Sequence, residues 1–398
     1  MDITIYPKKL AGTITAIPSK SQAHRLLICA AFSDKTTKIV CTATNQDIEA
    51  TASCLRALGA KIDRTNDSYI VTPISTLPAK AILNCNESGS TLRFMLPIVG
   101  ALGVDTTIEM AGRLPYRPLS PLWEEMERMG CVLSRPTAET IRVQGKLKAG
   151  IYRIDGNISS QFITGLIFAG ALMDGNTEIQ IIGKLESKPY VDMTQDALAQ
   201  FGVNTDQFRI TGSRPFHSPE LITVEGDWSN AAFFKAAKKL GNDVTVTGLR
   251  SDSAQGDRAC MEILEQLHNH IIVDAADIPD LVPILAVTAG AFDGATFKNT
   301  ARLRLKESDR VATVAQIIEN LGGNAIISEN ALEILPGKYD QCIIDAAGDH
   351  RIAMAAAIAA TAANGPVTIL GAHCVAKSYP AFWDEYIKLG GSYEQYIR

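Results

Sequence analysis

The stretch Arg304-Leu305-Lys306-Glu307-Ser308-Asp309-Arg310 sets cations on both sides of an acid. Upstream, Thr296-Phe297 and Leu303-Leu305 read as extended chain, while Val311, Val314, Ile317, Ile318 and Leu321 recur downstream with helical spacing. Ser308 or Asp309 is the natural helix cap. Arg310 then falls in the first turn, where the helix dipole disfavours a cation by up to about 1 kcal/mol. A cation held there calls for an anionic neighbour, although a solvated turn with fortuitous charges reads equally well from these residues alone.

The pattern recurs. Ser19-Lys20-Ser21-Gln22-Ala23-His24-Arg25 leads into Leu26-Leu27-Ile28, Glu87-Ser88-Gly89-Ser90-Thr91-Leu92-Arg93 into Phe94-Met95-Leu96, and Gly348-Asp349-His350-Arg351 into Ile352-Ala353-Met354. Ser159-Ser160-Gln161 opens another apolar run with hydroxyls and an amide in place of the cation. A helix N-terminus offers free backbone N–H groups to an anion, and added Arg or Lys makes it selective for phosphate and carboxylate. One such turn arises by chance; a series of them in one chain points to an extended site for anionic small molecules.

Elements must carry these turns, and a repeat organises them. Helix-like segments end in Leu58-Gly59, Met129-Gly130, Phe201-Gly202, Leu321-Gly322 and Leu389-Gly390, with strand-like residues after most of them. Glycine at that place fits the left-handed residue that ends a helix. The gaps are 71, 72, 120 and 68 residues, and Leu267-His268 before Ile271-Ile272-Val273 is the candidate for a sixth junction inside the long one. Six helix-and-strand units, grouped three and three, predict an α/β protein of two domains. The turn-rich Gly212-Ser213-Arg214-Pro215-Phe216-His217-Ser218-Pro219 marks one crossing between domains and Ala16-Ile17-Pro18 the other. The expected division is 1–18 with 219–398 as one domain, including the N-terminal strand Ile3-Thr4-Ile5, and 19–218 as the other, with a double crossover hinge near 16–20 and 212–219.

Composition narrows the classes. In 398 residues, 46% are hydrophobic and 20% charged, as in an ordinary globular core, and the net charge of −5 argues against nucleic-acid binding. No apolar run approaches the roughly 20 residues of a membrane helix, and the opening Met1-Asp2-Ile3-Thr4 has no signal-peptide layout, so a cytoplasmic protein is expected. The eight cysteines form no Cys-x-x-Cys pair and read as buried thiols, and the six histidines lack metal-ligand spacing. His268 and His270 fall where a helix should end, which favours surface roles.

Taken together, the motifs resemble the 5-enolpyruvylshikimate-3-phosphate synthase family almost from end to end. The resemblance rests on Pro18-Ser19-Lys20-Ser21 with Arg25, Ser88-Gly89-Ser90-Thr91-Leu92-Arg93, Arg117-Pro118-Leu119, Ser159-Ser160-Gln161, and Glu186-Ser187-Lys188-Pro189-Tyr190. It continues through Val224-Glu225-Gly226-Asp227, Ile278-Pro279-Asp280, Leu305-Lys306-Glu307-Ser308-Asp309-Arg310, Asp349-His350-Arg351 and Ala376-Lys377-Ser378-Tyr379-Pro380. It implies a two-domain inside-out α/β barrel, each domain three βαβαββ units with pseudo-threefold symmetry. It also implies transfer of the enolpyruvyl group of phosphoenolpyruvate to the 5-hydroxyl of shikimate 3-phosphate, with release of phosphate. The expected protein is a monomeric enzyme of the shikimate pathway without metal or cofactor.

Carried over residue by residue, the resemblance makes Asp280 the base near the 5-hydroxyl, Glu307 the residue handling the proton at the methylene carbon, and Lys20 a neighbour of the reacting centre. Phosphoenolpyruvate would be held by Lys20, Gly89, Arg117, Gln161, Arg310, Arg351 and Lys377. Shikimate 3-phosphate would be held by Lys20, Ser21, Arg25, Ser159, Ser160, Gln161, Ser187, Tyr190, Asp280 and Lys306. On the residues alone, Tyr190 also reads as a packing ring, Ser187 as a helix cap and Asp280 as the cap after Ile278-Pro279. Two positions depart from the family pattern. Glu87-Ser88-Gly89-Ser90 stands where Asn-Ala-Gly-Thr is common, so Glu87 needs a cation such as Arg93, and Arg302 stands where Asn is common and could add a phosphate contact. The alternatives are an enolpyruvyl transferase acting on UDP-N-acetylglucosamine and a non-catalytic anion-binding relative. The first usually has Lys-Asn where Lys20-Ser21 stands and a loop cysteine where Arg113-Leu114-Pro115-Tyr116 stands.

Overall fold

Each capped apolar segment becomes a helix buried behind a small mixed sheet. The computed structural model describes every residue except Arg214, Ile397 and Arg398, and Arg214 lies within the stretch expected to cross between domains. The chain divides into two compact units, Met1–Ile17 with Gly226–Arg398, and Pro18–Glu225.

The Pro18–Glu225 unit has three sheets. In the first, Leu221–Thr223 runs parallel to Thr37–Val40, which pairs antiparallel with Ser68–Thr72 and through it with Lys61–Arg64. The second places Lys80–Asn84 parallel to Asp105–Glu109, followed by antiparallel Thr140–Gly145 and Cys131–Thr137. In the third, Ile151–Asp155 lies parallel to Asn176–Ile182, with Arg209–Thr211 antiparallel on its far side. A parallel pair needs a crossover, and helices Gly89–Leu102 and Ser160–Leu172 supply it in the second and third sheets. Both are apolar on nearly every side and so sit in the core. They pack closely: a Cβ on Gly165 would lie 2.3 Å from the Arg93 carbonyl oxygen. That carbonyl has no helical donor, because the residue four positions on is Pro97.

The other unit repeats this plan. Asp243–Thr247 runs parallel to Ala11–Thr15 as a two-stranded sheet. Ile271–Asp274 and Ala295–Lys298 are parallel, with Ala331–Leu335 and Asn324–Ile327 antiparallel beyond them. Cys342–Asp345 and Val367–Leu370 are parallel, with Asp2–Ile5 and Tyr393–Tyr396 completing the sheet. The buried helices are Trp228–Lys239, Val282–Gly290 and His350–Ala360. The glycines of the five Leu/Met/Phe-Gly junctions all have positive φ, between 77° and 113°.

Three expectations need correction. The second division falls at Glu225/Gly226 rather than within 212–219. Leu221–Thr223 pairs with Thr37–Val40, and the Glu225 carbonyl accepts a hydrogen bond from Ser19 N at 2.7 Å, so both belong with the first unit. Leu303-Leu305 is not extended: Ala301–Leu305 forms a 3₁₀ turn that buries Leu303. The strand after Leu267-His268 opens the next sheet in a parallel pair, whereas the other junctions whose strands follow directly lead into antiparallel ones.

All eight cysteines are free thiols, seven of them buried. Among the described residues no helix is long and apolar enough to cross a membrane. His268 and His270 are exposed.

Candidate active site

In the Pro18–Glu225 unit four helix starts carry expected residues. Ser19 caps helix Lys20–Ala31, its hydroxyl accepting from Gln22 N at 3.4 Å. Lys20 and Ser21 are half-buried, and Lys20 Nζ lies 2.7 Å from Asp47 Oδ2. One turn on, the buried Arg25 donates to Thr194 Oγ1 at 2.9 Å and to the Tyr190 carbonyl at 2.8 Å. Burial draws the Arg25 pKa down to about 10. Tyr190 is therefore tied to this cluster through its backbone, with its ring half-buried.

Ser88 caps helix Gly89–Leu102, accepting from Thr91 N at 3.2 Å. Two guanidinium groups converge on Gly89: a Cβ there would lie 2.7 Å from Arg117 Nη1 and 2.8 Å from Arg93 Nη1. Arg93 Nη1 donates to Gln161 Oε1 at 2.8 Å, and Gln161 Nε2 donates to Ser90 Oγ at 2.9 Å. Like charges gathered at a helix N-terminus beside a bare Cα make a receptor for an anion. Ser159 caps helix Ser160–Leu172 by accepting from Gln161 N at 3.3 Å, with Ser160 buried in the first turn. Ser187 is buried at the start of helix Lys188–Gln200 with φ of 56°, and its side chain does not cap that helix. The Glu87 carboxyl packs against Gly112, and Arg93 donates to Gln161 Oε1 and to the Pro118 carbonyl.

In the other unit Asp280, Lys306, Glu307, Arg310, Arg351 and Asp349 form one connected cluster. The Arg310 side chain is fully buried. Its Nη1 lies 2.6 Å from Asp280 Oδ1, Nη2 lies 2.7 Å from Glu307 Oε2, and Nε lies 2.7 Å from Asp349 Oδ2. Asp309 caps helix Arg310–Asn320, accepting from Val311 N and Ala312 N. The cation that looked misplaced in the first turn is thus compensated by three carboxylates of the protein itself. Arg351 Nη2 lies 3.1 Å from Asp280 Oδ2, and Lys306 Nζ lies 3.6 Å from Asp280 Oδ1. Burial opposes charge on Asp280, but Arg351, Lys306 and Arg310 beside it hold its carboxyl well below the usual range. Burial, with Arg310 and Arg302 acting in the same direction, lowers the Lys306 ammonium to about 8 against the pull of Asp280. Lys377 Nζ donates to the Gly348 carbonyl at 3.0 Å, beside the cap of the helix that carries Arg351.

Four residues escaped the sequence reading as site members. Asp47 looks like an ordinary acid in a helix first turn. Arg93 carries the same signal as the other first-turn arginines, but the sequence assigns it only a counter-ion's place beside Glu87. Asp349 lies 39 residues from Arg310, and only the fold joins them. Asp257 is buried, with its pKa raised to about 6 by burial and by Asp280, against the opposing effect of Arg351.

A family model described as EPSP synthase (3-phosphoshikimate 1-carboxyvinyltransferase) matches residues 5–386. The chain belongs to this family. A 3-phosphoshikimate 1-carboxyvinyltransferase of Clostridium kluyveri is 37% identical over 99% of this chain and 98% of that one. Its counterpart in Clostridium beijerinckii is 36% identical over 99% of both. The solved EPSP synthase from Acinetobacter baumannii matches with a TM-score of 0.81 at 23% identity, covering 99% of this chain and 100% of that one. The enolpyruvyl transferase NikO from Streptomyces tendae matches with a TM-score of 0.79 at 17% identity, covering 99% and 98%. At these identities the two solved structures speak for a shared α/β fold of several sheets.

Proposed function

We propose that the protein transfers the enolpyruvyl group of phosphoenolpyruvate to the 5-hydroxyl of shikimate 3-phosphate and releases inorganic phosphate. The observation that carries this is family membership over nearly the whole chain. Both substrates carry a phosphate and a carboxylate, and each unit offers a cluster of cations to bind them. Lys20, Gly89, Arg117, Gln161, Arg310, Arg351 and Lys377 hold phosphoenolpyruvate in this reading. Lys20, Ser21, Arg25, Ser159, Ser160, Gln161, Ser187, Tyr190, Asp280 and Lys306 hold shikimate 3-phosphate.

The chemistry is addition followed by elimination. The 5-hydroxyl oxygen bonds to C2 of the enol and gives up its proton, while the methylene carbon gains one. The adduct then loses a proton from the new methyl group and the C2–phosphate bond breaks. Asp280 receives the hydroxyl proton, Glu307 serves the methylene carbon, and Lys20 stands near the reacting centre. Before substrate binds, Asp280 is too firmly held as a carboxylate to be an effective base. Anionic substrates compete for Arg351 and Lys306 and add negative charge, and both effects raise the Asp280 pKa toward a useful value. Asp280→Asn should lower kcat by about 10²–10⁴ and leave substrate binding within a few-fold; an unchanged kcat would remove the residue from the mechanism.

We infer further that each unit is an inside-out α/β barrel of three βαβαββ repeats about a pseudo-threefold axis, joined by a double crossover hinge. The three sheets and buried helices of each unit support this. We infer as well that it acts as a monomeric cytoplasmic enzyme of the shikimate pathway, as the resemblance implies.

A further inference from the structure

Helices Lys20–Ala31 and Gln46–Ala57 meet across two polar rungs. The outer rung is the half-buried Lys20–Asp47 ion pair. The inner rung is fully buried, with His24 Nδ1 2.7 Å from Thr51 Oγ1. Lys20 and His24 stand one helical turn apart, as do Asp47 and Thr51, so both rungs join the same two faces. From Thr51 the chain of hydroxyls continues. Its Oγ1 lies 2.8 Å from Thr91 Oγ1, which lies 2.7 Å from Ser88 Oγ, the cap of helix Gly89–Leu102.

His24 is an expensive residue for this place. It is fully buried, and its Nε2 has no hydrogen-bond partner among the described residues. Burial, with Lys20 and Arg25 close by, holds its pKa well below the usual value, so the imidazole is neutral. Its ring stands edge-on to Phe94 at 6.2 Å, on the same helix as Thr91. A neutral imidazole gives this spot a hydrogen bond without adding a third cation to Lys20 and Arg25.

We propose that His24 and Thr51 are positioning residues for the anion-binding helix starts. The buried rung fixes Asp47 against Lys20, and through Thr91 and Ser88 it sets the N-terminus of Gly89–Leu102 against the helix that carries Lys20. The lysine ammonium and the backbone around Gly89 are thereby held in one geometry. The effect on turnover rests on the enzyme reading above; the effect on Lys20 does not.

The test compares Thr51→Val, which keeps the shape and removes the hydroxyl, with Thr51→Ser, which keeps the hydroxyl, in the full chain. Thr51→Val should lower kcat/KM for phosphoenolpyruvate about tenfold, as loss of an orienting partner typically does, and Thr51→Ser should recover most of it. Independently of turnover, the Lys20 amine can be titrated by NMR of the reductively ¹³C-methylated protein, with Lys20→Gln assigning its signal. Thr51→Val should shift that titration and Thr51→Ser should not. The proposal is overturned if Thr51→Val matches the wild type in both readouts, or if Thr51→Ser changes as far as Thr51→Val. Should Thr51→Val not fold, His24→Asn against His24→Leu makes the same comparison, and equal behaviour of that pair overturns it. A wild-type protein inactive with both substrates would refute the enzyme reading and leave the lysine titration to decide the positioning role.

Discussion

Asp349→Ala removes the carboxylate that grips Arg310, whose side chain is fully buried. Asp349 Oδ2 takes Arg310 Nε at 2.7 Å and Ser308 Oγ at 3.1 Å, and Oδ1 takes Arg310 Nη2 at 3.3 Å and Arg351 N at 3.0 Å. Neither the Arg310 nor the Asp349 side chain is exposed. Removing one partner of a buried pair costs roughly 3–5 kcal/mol because the other is stranded. Losing the helix cap adds about 1 kcal/mol. Arg310 keeps Asp280 and Glu307, which places the pair's share at the low end, so the total is about 4 kcal/mol. For a unit of this size that corresponds to a fall in Tm of about 10 °C. Asp349→Asn keeps one oxygen, enough for the cap to Arg351 N, but loses the charge and the second acceptor, and should cost about 3 kcal/mol. Urea unfolding at neutral pH with parallel calorimetry measures both. Burial opposes the charged form of Asp349, but Arg310 holds its folded pKa below the usual value, so its contribution is complete above about pH 4 and fades as pH falls through the lower, folded value. The gap between wild type and Asp349→Asn should therefore close only in strong acid. A loss under about 1 kcal/mol in Asp349→Ala, or an Asp349→Asn variant as stable as the wild type, would refute the role of the charge.

Gly89→Ala should leave the fold intact, because the clashing atoms are the ends of flexible arginines, and should raise the KM for phosphoenolpyruvate about 10–100-fold by displacing Arg93 and Arg117; an unchanged KM would remove Gly89 from the binding site. Gly165→Ala meets the Arg93 carbonyl at 2.3 Å and the Pro97 ring at 2.6 Å, neither of which can yield. It should destabilise by about 2 kcal/mol net of the helix-propensity gain, and a neutral or stabilising result in urea unfolding would contradict the close packing. Asp257 has a folded pKa raised to about 6 from 3.8, so the stability tied to its neutral form is complete below 3.8 and is lost as pH rises through about 6. Relative to wild type, Asp257→Asn should thus gain about 2 kcal/mol between pH 4 and pH 8, and a pH-independent difference would count against the shift.

The helix starts were legible in the sequence because a capping hydroxyl or carboxylate followed by an apolar run is a local signal. Ser19, Ser88, Ser159, Asp309 and Asp349 all cap as that signal implies. The repeat was legible through glycines whose backbone conformation other residues rarely adopt. What brings Asp280 and Asp349 to Arg310 was not, since they lie 30 and 39 residues away and meet only when the buried helices pack. The sequence therefore called for an anion beside Arg310 without showing that three of the protein's own carboxylates meet it. The second division between units was misplaced for a related reason. A turn-rich surface stretch drew attention from Leu221–Thr223, a strand of only three residues whose membership is decided by its partner. Asp47 and Thr51 carried no signal at all, because an acid and a threonine early in a helix are ordinary.

Phosphate release from the purified protein decides whether it carries out the enolpyruvyl transfer. Release should occur only when phosphoenolpyruvate and shikimate 3-phosphate are both present, with the enolpyruvyl ether formed in equal amount. No release with that pair, or release with UDP-N-acetylglucosamine in place of shikimate 3-phosphate, would contradict it.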